Sequence, residues 1–152
     1  MFSESYQLMT TYKSDIKVIS APEEKVFSVI KDLNNLQVLN EIKAPVEKFQ
    51  ILGCEQDSCV LAVDDFGEVG VRIFERQANN LIRFDITQLP VDASGEIFLS
   101  GSEGNETQMQ VAVQVELSWT LKMILNKQLE KGINTFADLF EDLLNRWLIK
   151  NS

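Results

Sequence analysis

The sequence predicts an α+β fold in which a curved antiparallel sheet of seven strands wraps around one long C-terminal helix. Two observations predict it. Residues 121–147 carry apolar side chains at spacings of three and four, as an amphipathic helix does. Residues 46–117 form short apolar-rich runs separated by turns, which is typical of antiparallel strands. A chain of 152 residues is expected to form a single domain, residues 1–152.

The first elements are a strand and a short helix. The strand is predicted over residues 11–19, where Ile16 and Val18 alternate with charged residues. Ser20 and Glu23 then have the spacing of a capping box, so we expect Ser20 to be the N-cap. Apolar residues follow at helical spacing, at Val26, Phe27, Ile30 and Leu33.

A second short helix is predicted over residues 36–39, and six strands follow it. The strands are predicted over residues 46–52, 59–63, 69–76, 81–87, 96–100 and 107–117. In the last strand, Val111, Val113 and Val115 alternate with polar or small residues, so one face is buried. A twisted sheet of this size curls, and the long helix is expected to fill its concave side.

The final helix, over residues 121–147, would be about 40 Å long at 1.5 Å per residue. Its predicted apolar face consists of Leu121, Leu125, Leu129, Ile133, Phe136, Leu139, Phe140, Leu143 and Trp147. Gly132 interrupts this face and costs about 1 kcal/mol relative to alanine. We expect Gly132 to face the sheet, where the missing side chain either lets a bulky residue approach or leaves room for a ligand.

The charge distribution excludes some classes of partner. The chain has a net charge of -9, and residues 121–152 carry +1 of it, from five basic and four acidic residues. The first 120 residues therefore carry -10, and without a cluster of Lys and Arg we expect no nucleic-acid partner. No run of about 18 apolar residues predicts a membrane span. Residues 1–4 do not begin a secretion signal, so we expect a cytoplasmic location.

Cys54 and Cys59 are separated by four residues across a predicted turn and could face each other on a hairpin. Because a cytoplasmic location is expected, we predict two reduced thiols. The chain contains no His. We therefore expect no zinc site and no Ser or Cys nucleophile with an imidazole base, and we predict no cofactor.

Two segments carry a family resemblance. One is APEEKVFSVIKDLNNL at residues 21–36, in which a capped helix bearing Val26 and Phe27 leads into a turn at Asp32 and Leu33. The other is the long helix that follows a strand of alternating valines. Both are similar to the START-like, Bet v 1-like superfamily (SRPBCC), also called the polyketide cyclase/dehydrase and lipid transport family. Members often carry a Trp or Pro cluster after the second short helix, where this chain has only Pro45, so its pocket mouth is expected to differ.

The resemblance implies the helix-grip fold and a cavity between the long helix and the sheet. Members use that cavity to bind lipids, quinones or polyketides, and a few catalyse cyclisation or hydrolysis. We expect this chain to bind a small hydrophobic ligand with Leu36, Leu39, Phe84, Phe98, Val113, Gly132, Ile133, Phe136 and Phe140. The alternative for the aromatic residues is ordinary core packing, in which each buried large apolar side chain contributes about 1.5–3 kcal/mol.

Other residues near the predicted cavity allow two interpretations. Trp119 either caps the cavity or packs in the core, and packing is favoured. Arg72, Arg83 and Asp85 are expected on the solvent-facing side of the sheet as cross-strand ion pairs. A reversed strand register would turn them into polar ligand contacts instead.

Three functions remain open at this level. The absence of His favours non-catalytic binding, possibly transport, of a hydrophobic or amphipathic molecule. A polyketide cyclase-like enzyme would need Tyr12 or a carboxylate as its acid or base. A protein-interaction module would have a filled core and an exposed apolar or acidic face.

Overall fold

The computed structural model describes residues 7–37, 49–63, 67–89, 91–102 and 104–150. In chain order the elements are β1 (Gln7–Lys13), β2 (Lys17–Ile19), α1 (Glu23–Ile30), a 3₁₀ helix (Leu33–Gln37), β3 (Phe49–Cys54), β4 (Ser58–Val63), β5 (Gly67–Gln77), β6 (Leu81–Thr87), β7 (Ala93–Ser102), β8 (Glu106–Ser118) and α2 (Trp119–Lys150). The strands form one antiparallel sheet in the order β1-β8-β7-β6-β5-β4-β3, and β2 also pairs with β8. The predicted helix-grip architecture is confirmed. Among the helices in the described ranges, none has the length and apolar character that crossing a bilayer requires.

Among the described residues the sheet has eight strands instead of seven, because the strand predicted over residues 11–19 is divided at Ser14. The backbone N–H of Ser14 donates to the Val111 carbonyl at 2.8 Å, and its hydroxyl accepts from the Val111 N–H at 3.0 Å. The backbone N–H of Asp15 donates to Oδ1 of Asn134 in α2 at 2.9 Å instead of to a strand. The break between β1 and β2 therefore allows the backbone to bond to helix α2, and β2 then pairs with β8 again.

Helix α1 begins at Glu23, and the predicted capping box is wrong. Pro22 is the N-cap residue, and no side chain forms a capping hydrogen bond there. The carboxylate of Glu23 instead accepts a hydrogen bond from the backbone N–H of Gly101 at 3.0 Å, which ties the helix to β7. The Glu23 carboxylate, which the capping-box pattern predicted to bond at the start of the helix, is therefore used in a contact with another element. The buried face includes Val26, Phe27 and Ile30, as predicted.

The second short helix is a 3₁₀ helix over Leu33–Gln37 and begins three residues before the predicted start. Its position is set by the sheet, because the Leu33 N–H donates to the Gln56 carbonyl at 3.0 Å in the turn between β3 and β4. Leu36 is buried, as expected for a residue facing the core. The predicted end of this helix lies outside the described residues.

Helix α2 packs mainly against β8, β1 and β2. Its buried residues are Ile133, Ala137, Phe140, Leu143 and Leu144. Of its predicted apolar face, Ile133, Phe140 and Leu143 are buried, and Leu125, Leu129, Phe136 and Trp147 are half-buried against the core. Outside that face, Trp119, Met123 and Ile124 are 61%, 69% and 64% exposed. Leu121, predicted to begin the buried face, is also exposed. The side chain of Leu139 lies outside the described part of the chain.

A disulfide joins Cys54 and Cys59, so the prediction of two reduced thiols is wrong. The two residues lie opposite each other in the β3–β4 hairpin, with Cα atoms 4.1 Å apart. The turn closes through a hydrogen bond from the Glu55 N–H to the Ser58 carbonyl at 2.7 Å. Hairpin register brings the two sulfur atoms together, whereas the prediction of reduced thiols rested only on the expected compartment.

The charged residues of β5 and β6 lie on the solvent-facing side, as expected. Arg72 and Asp85 are exposed and lie opposite each other in register. Arg83 forms its ion pairs with Glu75 and Glu96 on the two neighbouring strands, at 3.0 Å and 2.9 Å. These groups point away from α2, so the interpretation as ligand contacts is not supported.

Candidate functional site

A cavity of about 150 Å³ lies between α2 and the concave side of the sheet. It forms where α2, which packs mainly on the β8-β1-β2 side, lies further from strands β4 to β6. Its wall is almost entirely carbon. The lining residues are Tyr12, Leu61, Val69, Val71, Phe84, Ile86, Leu89, Val113, Gln128, Leu129, Gly132, Ile133 and Phe136.

The sheet side of the cavity is built by inward-facing residues of neighbouring strands. Leu61, Val71 and Phe84 are all buried. Phe84 needs space on the neighbouring strand, and Gly95 lies directly opposite it in β7. A Cβ atom at Gly95 would lie 2.6 Å from Cε2 of the Phe84 ring, which is an overlap. Gly95 therefore allows the aromatic ring to lie against the sheet.

The helix side of the cavity is one stripe of α2 in which Leu129, Gly132, Ile133 and Phe136 recur at spacings of three and four. A Cβ atom built at Gly132 would meet no atom within 4 Å apart from its chain neighbours and the backbone of its own helix. The hydrogen of this glycine thus borders open space, and no bulky sheet residue approaches it. The sequence left two explanations for Gly132, the approach of a bulky residue or empty space beside the helix. The structure supports the empty space.

The inner end of the cavity is closed. A second void of only about 10 Å³ lies further in, and Phe84 and Phe136 line both spaces. The rings of Phe136 and Phe140 meet edge to face, with centroids 4.8 Å apart. An apolar group that enters the cavity therefore meets a wall of aromatic rings before it reaches α1.

Tyr12 is the buried polar residue of the wall, and α2 holds its hydroxyl. The Tyr12 hydroxyl donates to Oδ1 of Asn126 at 2.8 Å, and Nδ2 of Asn126 donates to Glu130 at 3.1 Å. A carboxylate only accepts hydrogen bonds, so Glu130 fixes the orientation of the amide and makes Tyr12 the donor. Burial first, and then the charge of Glu130, raise the pKa of Tyr12 above 10.0. The phenol is therefore neutral near neutral pH.

The lining residues include no Asp, Glu, Lys or Arg. Within the described ranges, no group of three or more His, Cys, Asp and Glu is placed to hold a metal ion. The arrangement is suited to enclosing an uncharged apolar molecule, because a charged group placed there would lose its hydration without a partner.

The structure brings together five of the nine predicted ligand-binding residues. Phe84, Val113, Gly132, Ile133 and Phe136 line the cavity. Leu36 and Phe140 line the smaller inner void. Leu39 lies outside the described residues. Contact of any of these residues with a ligand stays a prediction.

Phe98 and Trp119 do not reach the cavity. Phe98 is 41% exposed on the outer face of β7, whereas Ile97 and Leu99 point inward, so the expectation that it faces the helix is wrong. Three apolar residues in a row give no alternation, and the sequence could not decide which of them points inward. Trp119, expected to pack, is exposed at the start of α2, beyond the part of the helix that the sheet covers.

Sequence reasoning missed several lining residues. Leu129 could have been found, because it lies on the predicted helix face one turn from Ile133. Leu61, Val69, Val71, Ile86 and Leu89 carried only the general signal of apolar strand and loop residues. Tyr12 lines the cavity because it lies opposite Val113 in the β1–β8 pairing. That pairing joins strands that are far apart in the chain, β1 (Gln7–Lys13) and β8 (Glu106–Ser118), so no local pattern indicates it.

No family model matches the sequence, and no curated protein matches it either. The fold does match solved structures. Norcoclaurine synthase from Thalictrum flavum aligns with a TM-score of 0.73 at 9% identity, over 98% of this chain and 91% of that chain. Its complex with dopamine and hydroxybenzaldehyde aligns with a TM-score of 0.76 at 9% identity, over 100% of this chain and 93% of that chain.

A bacterial protein has the same architecture. A protein of Thermus thermophilus aligns with a TM-score of 0.64 at 18% identity, over 94% of this chain and 99% of that chain. At identities this low, the likeness shows a shared fold and no shared activity.

Proposed function

We propose that this chain, which has the helix-grip fold of the START-like, Bet v 1-like superfamily, binds a small hydrophobic molecule in the cavity under α2 without catalysis. The observation that carries the proposal is the carbon-lined cavity of about 150 Å³. Burial of an apolar molecule there is favourable by roughly 25 cal/mol per Å² of apolar surface. Norcoclaurine synthase, which has the same fold, was solved with dopamine and hydroxybenzaldehyde, and this supports binding of a small molecule.

Lipids, quinones and polyketide-like molecules are the ligand classes that the resemblance implies, for storage or transport. All of them present apolar surface to a carbon wall, so the chemistry of the wall alone does not separate them. A cytoplasmic location is part of the proposal. The Cys54–Cys59 disulfide is the observation against it, because a reducing compartment opposes such bonds.

The test is native mass spectrometry on the protein purified from its own host. We expect a protein–ligand mass, and denaturation should release a hydrophobic molecule for identification. Gly132→Leu, which fills the cavity, should be recovered without ligand. The control Met123→Ala changes an exposed residue of the same helix and should retain ligand. Ligand-free protein from the host, together with no binding of neutral apolar probes, would contradict the proposal.

Catalysis has weaker support. Of the lining residues, Tyr12 is the one that could serve as an acid or base, and its hydroxyl proton is shared with Asn126. Its raised pKa opposes formation of the phenolate near neutral pH. A cyclase-like activity that Tyr12→Phe abolishes would overturn this ranking.

A protein-interaction module is the second candidate. The cavity under α2 is contrary to the filled core that such a module was expected to have, whereas the start of α2 favours this candidate. Trp119, Met123 and Ile124 form an exposed apolar surface there, and such surfaces often mark contacts between proteins. We take a second copy of the chain as the partner. Sedimentation velocity over a concentration range should then show self-association that Met123→Lys removes. A monomer at every concentration would count against this candidate.

A further inference from the structure

Gly132 has no structural reason to be glycine. It lies inside α2, where glycine is less stable than alanine. Glycines in such positions are usually explained by a left-handed backbone or by the close approach of another element. Among the described glycines, Gly67 and Gly104 have positive φ, and Gly132 does not. No atom lies within 4 Å of a Cβ built on it.

The space that a side chain at position 132 would occupy is the cavity itself. Gly132 is part of its wall, between Leu129 and Phe136 on the same helical stripe. Each carbon added to this residue would remove volume from the cavity without filling a gap in the core. The glycine therefore destabilises the helix and enlarges the binding space.

The dimensions of the cavity restrict the ligand. An apolar cavity of about 150 Å³ is large enough for a benzene-sized ring, whereas pockets for drug-sized ligands span about 300–1,000 Å³. The void behind Phe84 and Phe136 measures only about 10 Å³, so a longer molecule cannot extend inward. A sterol or a whole acyl chain would leave most of its surface outside.

The electrostatics restrict the ligand further. The lining residues carry no formal charge, and the Tyr12 hydroxyl is already bonded to Asn126. A carboxylate or ammonium group in the cavity would lose its hydration with no opposite charge in the wall. The preferred ligand is therefore uncharged where it is buried.

We propose that the cavity selects an uncharged molecule, or part of one, about the size of a single ring, and that Gly132 sets this limit by leaving room on α2. The inference rests on the proposed function, since it names the ligand class of the same cavity. Gly132 is then a specificity-determining residue. The glycine favours ligand binding and lowers the stability of the helix.

The experiment compares three probes, toluene, benzoate and palmitate, by chemical-shift changes in backbone NMR spectra. We expect toluene to shift the signals of Phe84 and Ile133, and benzoate and palmitate to bind at least about tenfold more weakly. Gly132→Val should weaken toluene binding by about tenfold or more. Gly132→Ala should weaken it less and raise Tm by roughly 2–4 °C, because a helix glycine is replaced.

A matched glycine serves as the control. Gly53 in β3 is exposed and also has no atom within 4 Å of a built Cβ, but it does not line the cavity. Gly53→Ala should leave toluene binding unchanged. Equal binding of toluene by wild type and Gly132→Val, or a lower Tm in Gly132→Ala, would overturn the assignment of Gly132.

The probes separate failure of this inference from failure of the proposed function. Palmitate bound in the cavity more tightly than toluene would overturn the single-ring limit and leave hydrophobic binding intact. Tighter binding of benzoate would overturn the preference for an uncharged molecule. Absence of binding by all three probes would overturn both proposals.

Discussion

At the residue scale, two glycines beside the cavity have opposite surroundings. Gly132 borders open space, and Gly95 lies against the ring of Phe84 and 2.9 Å from the Ala112 carbonyl oxygen, measured from a built Cβ. The same residue type therefore serves two purposes. One glycine preserves the volume of the cavity, and the other lets an aromatic side chain form its wall.

Gly95→Ala is expected to destabilise the protein by about 1–3 kcal/mol, because the added methyl group must displace Phe84 or the backbone of β8. Urea-induced unfolding measures the change in free energy. Gly132→Ala provides the comparison and should stabilise by up to about 1 kcal/mol. If Gly95→Ala unfolded like the wild type, the close packing described for Phe84 would be wrong.

The pKa of Glu75 is lowered, first by the hydrogen bond from Gln77 and then by the hydrogen bond and charge of Arg83. A carboxylate whose folded-state pKa is lowered stabilises the fold above its unfolded-state pKa. This contribution is lost as the pH falls through the folded-state value. The contribution of Glu75 to stability is therefore lost only in acid, below the ordinary Glu pKa of about 4.3.

Arg83→Gln should move the pKa of Glu75 upward, toward its ordinary value, as measured by NMR titration of the side-chain carboxyl carbon. Gln77→Ala should also move it upward, because the Gln77 hydrogen bond is the largest single cause. A Glu75 titration unchanged in both variants would show that these contacts do not form in solution.

At the element scale, the β3–β4 hairpin combines a short turn with a disulfide. A cross-link that closes so short a loop removes little entropy from the unfolded chain, so its expected stabilisation is about 2 kcal/mol. The Cys54→Ser variant should lose this amount in urea-induced unfolding. Wild-type protein treated with reductant should match the variant. If reductant left wild-type stability unchanged, the two thiols would not be bonded in solution.

Helix α2 shows why an amphipathic pattern predicts a helix better than it predicts how much of that helix is buried. The spacing of Leu129, Ile133 and Phe136 identified both the element and its inward face. Trp119 and Met123 are exposed, because α2 begins at the end of β8 and the sheet covers only its later turns. The extent of the sheet, which depends on distant strands, decides how much of the helix is buried.

At the scale of the whole molecule, polar contacts hold α2 to the β1–β2 edge. Tyr12 bonds Asn126, the Asp15 N–H bonds Asn134, and Lys17 forms an ion pair with Asp138. The hydrogen bond to Asp138 is also the main reason why the pKa of Lys17 is raised. These contacts fix the helix over the β1–β2–β8 side of the sheet, and the cavity extends from Tyr12 to strands β4, β5 and β6.

Tyr12→Phe should destabilise the protein by roughly 0.5–1.5 kcal/mol, since it removes one hydrogen bond between α2 and β1 and keeps the ring in the cavity wall. Thermal and urea-induced unfolding measure the loss. Thr11→Ala, at an exposed position of the same strand, is the control. Unchanged stability in Tyr12→Phe would mean that this bond does not help to hold the helix.

By itself, the sequence determined the α+β class, the inward stripe of α2 and the element order apart from the division of the first strand, because periodicities of two and 3.6 residues are properties of neighbouring residues. It also identified Gly132 as unusual. Only the tertiary structure decided the Cys54–Cys59 bond, the outward direction of Phe98, the place of Tyr12 and the volume beside Gly132. Each of these depends on strand register or on the position of α2 over the sheet, and contacts between residues far apart in the chain set both.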